Sequence, residues 1–286
     1  MMSQSNKRKK WIGHSDPNVF HLPFPYPWKK CVRKNPGKYF LKSLEKLLSE
    51  NAISLNKDVC GFMLETFQGW GAIFYPKEYV KMLSIIAKRH NIKICFDEMQ
   101  AGFGRTGKLF GYMHYGVEPD LICLGKGAAS GLPLSIVLGR KEIMDIPSIG
   151  SMSSTHSANP LVCVAGKANL QTILEGRLIE NSKNLGRILH TNLNRIRKRF
   201  PEVISNVLGK GLIAGIIFKD KDGNPLSYLC DRIAELCMQR GLLLVHTGRE
   251  SIKIAPPLSI NKEPLLEGIE VLEGAIEDVI EGSKKL

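Results

Sequence analysis

The sequence lacks the features of several specialised protein classes. Its seven cysteines are odd in number and form no Cys-x-x-Cys pair, which argues against a disulfide framework or a zinc site and predicts reduced, mostly buried thiols. It has no internal repeat or low-complexity tract, which excludes solenoid folds. No apolar run approaches the ~20 residues of a membrane-spanning helix, and no secretory signal follows the N-terminus. We therefore expect a soluble, cytoplasmic globular protein.

The composition is that of a chain with a substantial core. At 286 residues and 43% apolar content, the chain is long enough for one large or two ordinary domains. The net charge is +13, but Lys and Arg are spread along the chain with acids between them, so we interpret it as a solvated basic surface rather than a nucleic-acid or membrane site. The basic cluster at 7–10 predicts a disordered tail over residues 1–10.

Helices and apolar strands alternate through the first half of the chain. Amphipathic spacing predicts helices, and apolar runs predict buried strands between and after them; the helices span 39–49 and 77–90, and the strands span 59–64, 92–96 and 120–125. Strands that are apolar on nearly every residue and separated by helices indicate an α/β fold, a mostly parallel sheet with helices on both faces. A ligand is expected beyond the carboxyl ends of these strands.

The second half of the chain predicts a long helical segment followed by a small domain. The helical pattern runs from about 159 to 200, breaks near Glu175 and Gly176, and is closed by Pro201. Short strands then alternate with helices, which predicts a small C-terminal α+β domain. We expect a large domain over 11–165, an interdomain helical segment over 166–200 and the small domain over 201–286.

Polar side chains follow the three apolar strands and should meet at one edge of the sheet. The strands end at Glu65, at Asp97 with Gln100 close behind, and at Lys126. A lysine directly after an apolar strand is expensive to desolvate as a cation, and burial that lowers its pKa makes it an amine nucleophile suited to Schiff-base chemistry. Its own segment taken alone favours a surface loop residue for Lys126, but the nearby acids and amide reverse that preference and favour chemistry.

The segment GFGRTG at 102–107 also fits a dinucleotide-binding pattern that follows a strand. Its context is wrong for that ligand, because acids stand between the strand and the first glycine, near where a pyrophosphate would lie. Too few residues follow before Gly116 and Pro119 for the crossover helix that this fingerprint needs. A nicotinamide-binding domain is therefore disfavoured.

Five ordered segments resemble a known family. CFDEMQAGFGRTGKLF, PDLICLGKGAASGLPLSIVLG and SSTHSANPLVCVAG are similar to consecutive blocks of class III pyridoxal-phosphate aminotransferases, the ornithine and 4-aminobutyrate aminotransferase-like enzymes. LETFQGWGA and IKIAPPLSI resemble two further blocks, although Thr66 stands where proline is usual. The similarity runs from about His21 to the end. It implies the large domain of a fold type I transferase, incomplete at its N-terminus, plus the small C-terminal domain.

The resemblance implies roles for the residues at the sheet edge. Lys126 would form the Schiff base with pyridoxal 5′-phosphate and later move a proton between the substrate Cα and the cofactor C4′. Asp97 would hydrogen-bond the pyridine nitrogen and keep it protonated, so that electrons flow into the ring. Gln100 would donate to the phenolic oxygen. Glu65 is either a support of the cofactor site or a structural acid.

The same resemblance implies a homodimer with shared active sites. Thr155 matches a threonine that binds the cofactor phosphate of the neighbouring subunit, and Ser154 would assist it. Two departures concern the substrate, because Trp70 stands where relatives carry an acid and Lys253 where they carry an arginine. Loss of both predicts that the acid–arginine gate is absent, while Lys253 remains a point charge for a carboxylate. The amino donor, the keto acceptor and the pathway stay undefined.

The expected function is transamination between an amino acid or amine and a 2-oxo acid. An alternative is a catalytically incomplete fragment, or one half of a split enzyme, because relatives carry an N-terminal stretch with a phosphate-cupping loop and a ring-stacking aromatic that have no counterpart here. A decarboxylase or racemase of the same fold is a further alternative, since both reactions begin from the same cofactor linkage.

Overall fold

The computed structural model describes Gly13 and residues 16–283, so the predicted disordered tail lies outside the described residues. The chain divides into two compact units, one formed by residues 1–62 with 75–93 and the other by residues 63–74 with 94–286. The domain boundaries expected near 165 and 200 stay predictions.

Among its described residues, the first unit has the helices α1 (Lys30–Lys34), α2 (Pro36–Glu50) and α3 (Lys77–Arg89). The predicted helices over 39–49 and 77–90 are confirmed. Helix α2 begins three residues earlier than predicted, because the Asn35 side chain accepts a 2.8 Å hydrogen bond from the Lys38 amide and a proline occupies the first helical position. The Phe40 ring packs edge-on against Tyr79 at 5.0 Å, joining α2 to α3.

The sheet predicted from the apolar strands has four strands in the order β1-β4-β5-β6. These are β1 (Gly61–Glu65), β4 (Lys93–Asp97), β5 (Leu121–Leu124) and β6 (Ile136–Gly139). Strands β4 and β5 run parallel, as predicted, with Asp97 opposite Cys123. Strand β6 was not predicted and pairs antiparallel with β5, because a four-residue run carries too little local pattern to reveal its partner. A short hairpin of β2 (Phe67–Gln68) and β3 (Ile73–Phe74) follows β1.

Two long helices follow, α5 (Pro160–Glu175) and α6 (Leu178–Arg199), after the short helix α4 (Lys141–Met144). Helix α5 begins at a proline, and the Asn159 side chain caps it by accepting a 3.0 Å hydrogen bond from the Leu161 amide. The predicted break near Gly176 is confirmed, since Arg177 takes a left-handed conformation with φ of 52°.

The C-terminal region forms a second sheet in the order β7-β8-β10-β9, backed by helices. Its elements are β7 (Ile204–Lys210), β8 (Ile213–Phe218), α7 (Ser227–Gln239), β9 (Val245–His246), β10 (Ser251–Ile254) and α8 (Lys262–Ser283). All six residues of β8 are buried. Three of them, Ala214, Ile216 and Phe218, form one apolar core with residues of α6, α7 and α8, including Leu189, Ile233 and Ile276. Strand β7 was not predicted, because its sequence ISNVLGK mixes polar and apolar residues.

The cysteine prediction is confirmed for the free thiols and wrong for their burial. All seven cysteines are free thiols, as predicted, but only Cys230 and Cys237 are buried, so the expectation of mostly buried thiols is wrong. The others lie at or near the surface of the helices, strands and loops that carry them. Within residues 16–283, no helix combines the length and the apolar character needed to cross a membrane.

Candidate active site

A small cavity of about 50 Å³, partly open to solvent, lies beyond the carboxyl ends of β1, β4 and β5. Its lining residues are Glu65, Phe67, Asp97, Met99, Gln100, Ala101 and Lys126. The structure therefore brings together four residues that the sequence placed at this edge: Glu65, Asp97, Gln100 and Lys126. Their roles in binding and catalysis stay predictions.

Lys126 opens a short 3₁₀ helix (Lys126–Ala129) two residues after β5 ends. Its φ is 42°, and Ser130 at the end of the same turn has φ of 48°. Both values lie in the left-handed region, which is strained for residues with a Cβ and is common at functional sites. The expected burial of this amine is wrong for the chain alone, because Lys126 and Gly127 are exposed between buried Gly125 and buried Ala128.

Asn169 of helix α5 fastens the turn that carries Lys126. Its Nδ2 donates to the carbonyl oxygens of Gly127 at 2.7 Å and Ala128 at 3.0 Å. Its Oδ1 accepts from the Ser130 hydroxyl at 2.6 Å. No sequence pattern points to this residue, because the carbonyls that it binds lie 41 and 42 residues away along the chain and depend on how α5 docks.

Asp97 stands at the end of β4, half-buried, and its Oδ1 accepts a 2.9 Å hydrogen bond from the Met99 amide. That bond holds the carboxylate within the turn that also presents Met99 and Gln100 to the cavity. One acid is thus fixed on the wall that Lys126 also lines.

The neighbouring Glu98 is fully buried and ties three segments together. It accepts hydrogen bonds from the Thr66 hydroxyl and from the backbone amides of Gly111 and Tyr112, the latter two both at 2.7 Å. Burial raises the pKa of Glu98, and the three donors oppose that shift. Thr66, which departs from the expected proline, is therefore a hydrogen-bond donor in this network. Sequence reasoning missed this role of Glu98, because no local pattern distinguishes a buried acid from the site acid Asp97 beside it.

Lys253 on β10 reaches the cavity through Gln100. Its Nζ donates to Gln100 Oε1 at 3.2 Å. Burial lowers the pKa of Lys253, and the charge of Lys126 lowers it further, while Glu65 opposes the shift. The charges of Lys126 and Glu65 therefore both act on the Lys253 amine. The structure thus places Lys253 beside the predicted cofactor residues.

Trp70 lies next to the cavity on the segment between β2 and β3. The preceding Gly69 donates to Glu65 Oε2 at 3.1 Å, and a Cβ on Gly69 would fall 2.4 Å from Gln100 Nε2, so only glycine fits there without displacing Gln100. The Trp70 indole donates to Gln68 Oε1 at 2.9 Å.

Arg249, another residue that the sequence did not single out, stacks its guanidinium 4.0 Å from the centroid of the Trp70 ring. The Ser251 hydroxyl donates to the Trp70 carbonyl at 2.9 Å. Trp70 is therefore held both through its ring and through its backbone by residues at or just before β10. A cation–π pair of this kind depends on the fold rather than on sequence spacing.

Ser154 and Thr155 are not brought to the cavity. Both are exposed on the loop between α4 and α5, where the Ser154 hydroxyl lies 2.6 Å from that of Ser157. Neither residue lines the cavity within this chain. Their predicted role toward a second subunit stays a prediction.

The cavity therefore combines an exposed amine, a fixed carboxylate and an oriented amide. An amine can condense with an aldehyde, and a carboxylate can hold a protonated ring nitrogen, so the donor set fits an aromatic aldehyde cofactor such as pyridoxal phosphate. In the part of the chain that the structure describes, His, Cys, Asp and Glu side chains form no group that could hold a metal ion.

Comparison with known proteins gives consistent results. The family model for class-III aminotransferases matches residues 1–276. An alanine/serine racemase from Pyrococcus horikoshii is 36% identical over 93% of this chain and 58% of its own length. A 4-aminobutyrate aminotransferase from Mycobacterium leprae is 30% identical over 97% of this chain and 64% of its own length. The solved structure of Plasmodium falciparum ornithine delta-aminotransferase matches with a TM-score of 0.73 at 32% identity, covering 84% of this chain and 60% of that one.

The matched relatives are longer than this chain. The chain spans 58% and 64% of the length of the two curated relatives, so the match covers a large part of each but not the whole. The family match, by contrast, covers nearly all of the 286 residues. The chain belongs to the class-III aminotransferase family.

Proposed function

We propose that this chain provides the catalytic cavity of a pyridoxal-phosphate-dependent transaminase, which moves an amino group between an amino acid or amine and a 2-oxo acid. The observation that carries the proposal is that Lys126 and Asp97 line the same cavity at the ends of neighbouring parallel strands. When bound, the cofactor supplies the electron sink that stabilises a carbanion at the substrate Cα. We place the protein in the cytoplasm, as its seven unpaired thiols suit a reducing compartment.

Each cavity residue has a task that its geometry supports. The Lys126 amine would hold the cofactor through its aldehyde group and, when released, would act as the base and acid that moves a proton at the substrate Cα. The Asp97 carboxylate would hold the ring nitrogen of the cofactor in its protonated form. Gln100 would donate to the phenolic oxygen through its Nε2 group, while its Oε1 accepts from Lys253. Glu65 orients Gly69, which abuts Gln100, and so supports the cofactor site from one side.

We propose Lys253 and Trp70 as the residues that receive the substrate. Lys253 provides a positive point charge for a carboxylate beside Gln100. The Trp70 ring stacks on the Arg249 guanidinium. It therefore offers an aromatic surface at the position where related enzymes carry the acid of their acid–arginine gate. We therefore expect Lys253→Ala to raise the KM of carboxylated substrates about tenfold, with a smaller effect on amines without a carboxylate.

A homodimer is the proposed assembly. Large apolar side chains are exposed on the loop before α5 and on α5 itself: Ile146, Ile149, Met152, Leu161 and Val164. An apolar patch of this kind marks an interaction surface. Ser154 and Thr155 belong to the same stretch, and we propose that they bind the cofactor phosphate of the partner subunit.

The dimer is tested by placing charge on this surface. A Leu161→Glu, Val164→Glu double variant is expected to sediment as a monomer while the native chain sediments as a dimer. If both sediment alike, the surface is not the interface.

Racemisation of amino acids is a second candidate function. It is favoured by the match to the alanine/serine racemase from Pyrococcus horikoshii. Chiral chromatography separates the two functions. Conversion of one amino-acid enantiomer to the other without any 2-oxo acid would establish racemisation, and its absence alongside amino transfer would establish transamination.

Reduction with borohydride tests the cofactor attachment. The chain is incubated with pyridoxal phosphate, alone and together with the N-terminal part of a class III relative supplied as a separate chain, then reduced, digested and sequenced by mass spectrometry. We expect the phosphopyridoxyl adduct on Lys126, and we expect it to persist in Lys253→Ala and to disappear in Lys126→Ala. An adduct on another lysine, or none in either arm, would refute the proposal.

A further inference from the structure

One face of helix α5 is built to receive the turn that carries Lys126. Gly166, Asn169 and Ile173 are spaced by three and four residues, so they share that face. Ile173 is buried in an apolar cluster with Leu124 and Ala128, which flank Lys126 in sequence. A Cβ on Gly166 would fall 2.7 Å from a methyl carbon of Leu134, so glycine allows the close approach of the helix. Apolar packing therefore sets how closely helix α5 approaches the turn. Asn169, the polar residue between Gly166 and Ile173, sets the orientation of the turn.

Asn169 makes three hydrogen bonds across this contact. Its amide group donates to the Gly127 and Ala128 carbonyls, and its oxygen accepts from the Ser130 hydroxyl. The turn has backbone hydrogen bonds of its own, from the Ala128 amide to Gly125 and from the Leu132 amide to Ala129. Those local bonds do not reach the helix, so Asn169 is what fixes the turn to its support through polar contacts.

The turn needs such a support because its backbone is strained at both ends. Lys126 and Ser130 both have positive φ, and the carbonyls bound by Asn169 lie between them. Strained conformations persist where the surrounding structure over-determines them. The two hydrogen bonds that Asn169 donates and the one that it accepts provide that over-determination.

We propose that Asn169 is a positioning residue that holds the Lys126 turn in the conformation that presents its amine to the cavity. Asn169 does not line the cavity and acts only through the turn. Its effect on the reaction rests on the proposed role of Lys126, whereas its effect on the turn concerns this chain by itself. The two parts can therefore be tested separately.

The first test measures the turn without cofactor or substrate. Hydrogen exchange followed by mass spectrometry is compared for the native chain, Asn169→Ala and a matched control, Asn192→Ala. Asn192 lies on α6 and its Nδ2 donates to the Ile188 carbonyl at 2.9 Å, so the control loses a bond of the same type away from the turn. We expect amides of residues 127–132 to exchange at least about tenfold faster in Asn169→Ala only. Unchanged exchange in this segment would overturn the proposal.

Asn169→Asp guards against a general loss of folding. Aspartate keeps an acceptor for the Ser130 hydroxyl but removes both donors to the turn carbonyls. We expect it to behave like Asn169→Ala in the turn, with the circular dichroism melting curve of the native chain. Native-like exchange in a folded Asn169→Asp would show that the carbonyl bonds do not hold the turn.

The second test measures the consequence for Lys126. We expect Asn169→Ala to lower the rate of borohydride-trapped labelling at Lys126 about tenfold, and to lower kcat by a similar factor with the donor KM changed less than twofold. Equal labelling in the native chain and Asn169→Ala would overturn the positioning role alone. Absence of labelling in the native chain would instead overturn the proposed function and with it the catalytic part of this inference.

Discussion

The cavity and the C-terminal core differ in almost every physical property. The core contains Ala214, Ile216 and Phe218 of the fully buried strand β8 and apolar side chains from three helices. The polar residues that line the cavity, Glu65, Asp97, Gln100 and Lys126, are exposed or half-buried, and its key lysine has a positive φ. The comparison indicates that the core supplies stability through many interchangeable contacts. The cavity depends on a few polar contacts, each of which has a specific geometry.

The largest expected effect separates chemistry from stability. Lys126→Ala should lower the rate of amino transfer by at least about 10²–10⁴-fold, because no other group performs its proton transfer. Its free energy of unfolding should change by no more than about 0.5 kcal/mol, because Lys126 is exposed. Steady-state kinetics and urea unfolding measure the two quantities. A large loss of stability would contradict the division between the regions.

A core substitution should give the opposite pattern. Ile216, in the middle of β8, is completely buried, and truncation to alanine leaves a cavity in the core. We expect Ile216→Ala to lower the free energy of unfolding by roughly 2–5 kcal/mol, as is typical of such truncations. The fraction of molecules that stays folded should retain native kcat. A selective fall in kcat at unchanged stability would show that the core takes part in catalysis.

Glu98 shares one property with each region, because it is buried as the core residues are and polar as the key cavity residues are. Glu98→Gln replaces an acceptor with a donor, so one partner among Thr66, Gly111 and Tyr112 loses its bond. We expect a loss of about 1–3 kcal/mol at a pH above the folded pKa of Glu98, where the carboxylate is ionised and accepts from all three donors. A stability loss near zero at that pH would show that the network is dispensable.

The pH dependence of the same residue follows from its raised pKa. The folded state holds the Glu98 proton more tightly than the unfolded state, so this contribution is present below the unfolded pKa of about 4.3 and is lost as the pH rises through the folded value. Glu98→Gln should therefore show a flatter stability profile over this interval. Chemical unfolding at a series of pH values measures it.

His114 gives the smallest of these effects and the opposite sign. Burial lowers its pKa to about 4, the charges of Lys210 and Lys108 lower it too, and a hydrogen bond with the Thr106 carbonyl opposes them. Unfolded histidine titrates near pH 6.5, so this contribution to stability is present above that pH and is lost as the pH falls toward 4. We expect roughly 1–2 kcal/mol over this interval, since His114 is half-buried. The His114→Asn variant should lack this component, and an unchanged profile would contradict it.

The sequence predicted more of the fold than of the contacts around the site. Apolar strands and amphipathic helices have local patterns, so their existence and type were correct, as was the break before α6. Strands β6 and β7 were missed because short or mixed runs become strands only through pairing with distant residues. Within the site, polar residues at strand ends were found. Asn169 and Arg249 were missed, because their partners are set by helix docking and by the second sheet.

The most direct test is a crystal structure of the protein with pyridoxal phosphate. We predict continuous electron density between Lys126 Nζ and the cofactor C4′, with an Asp97 carboxylate oxygen within about 3 Å of the pyridine nitrogen. A cofactor bound elsewhere, or a ring that spans from Lys126 without contacting Asp97, would contradict the account.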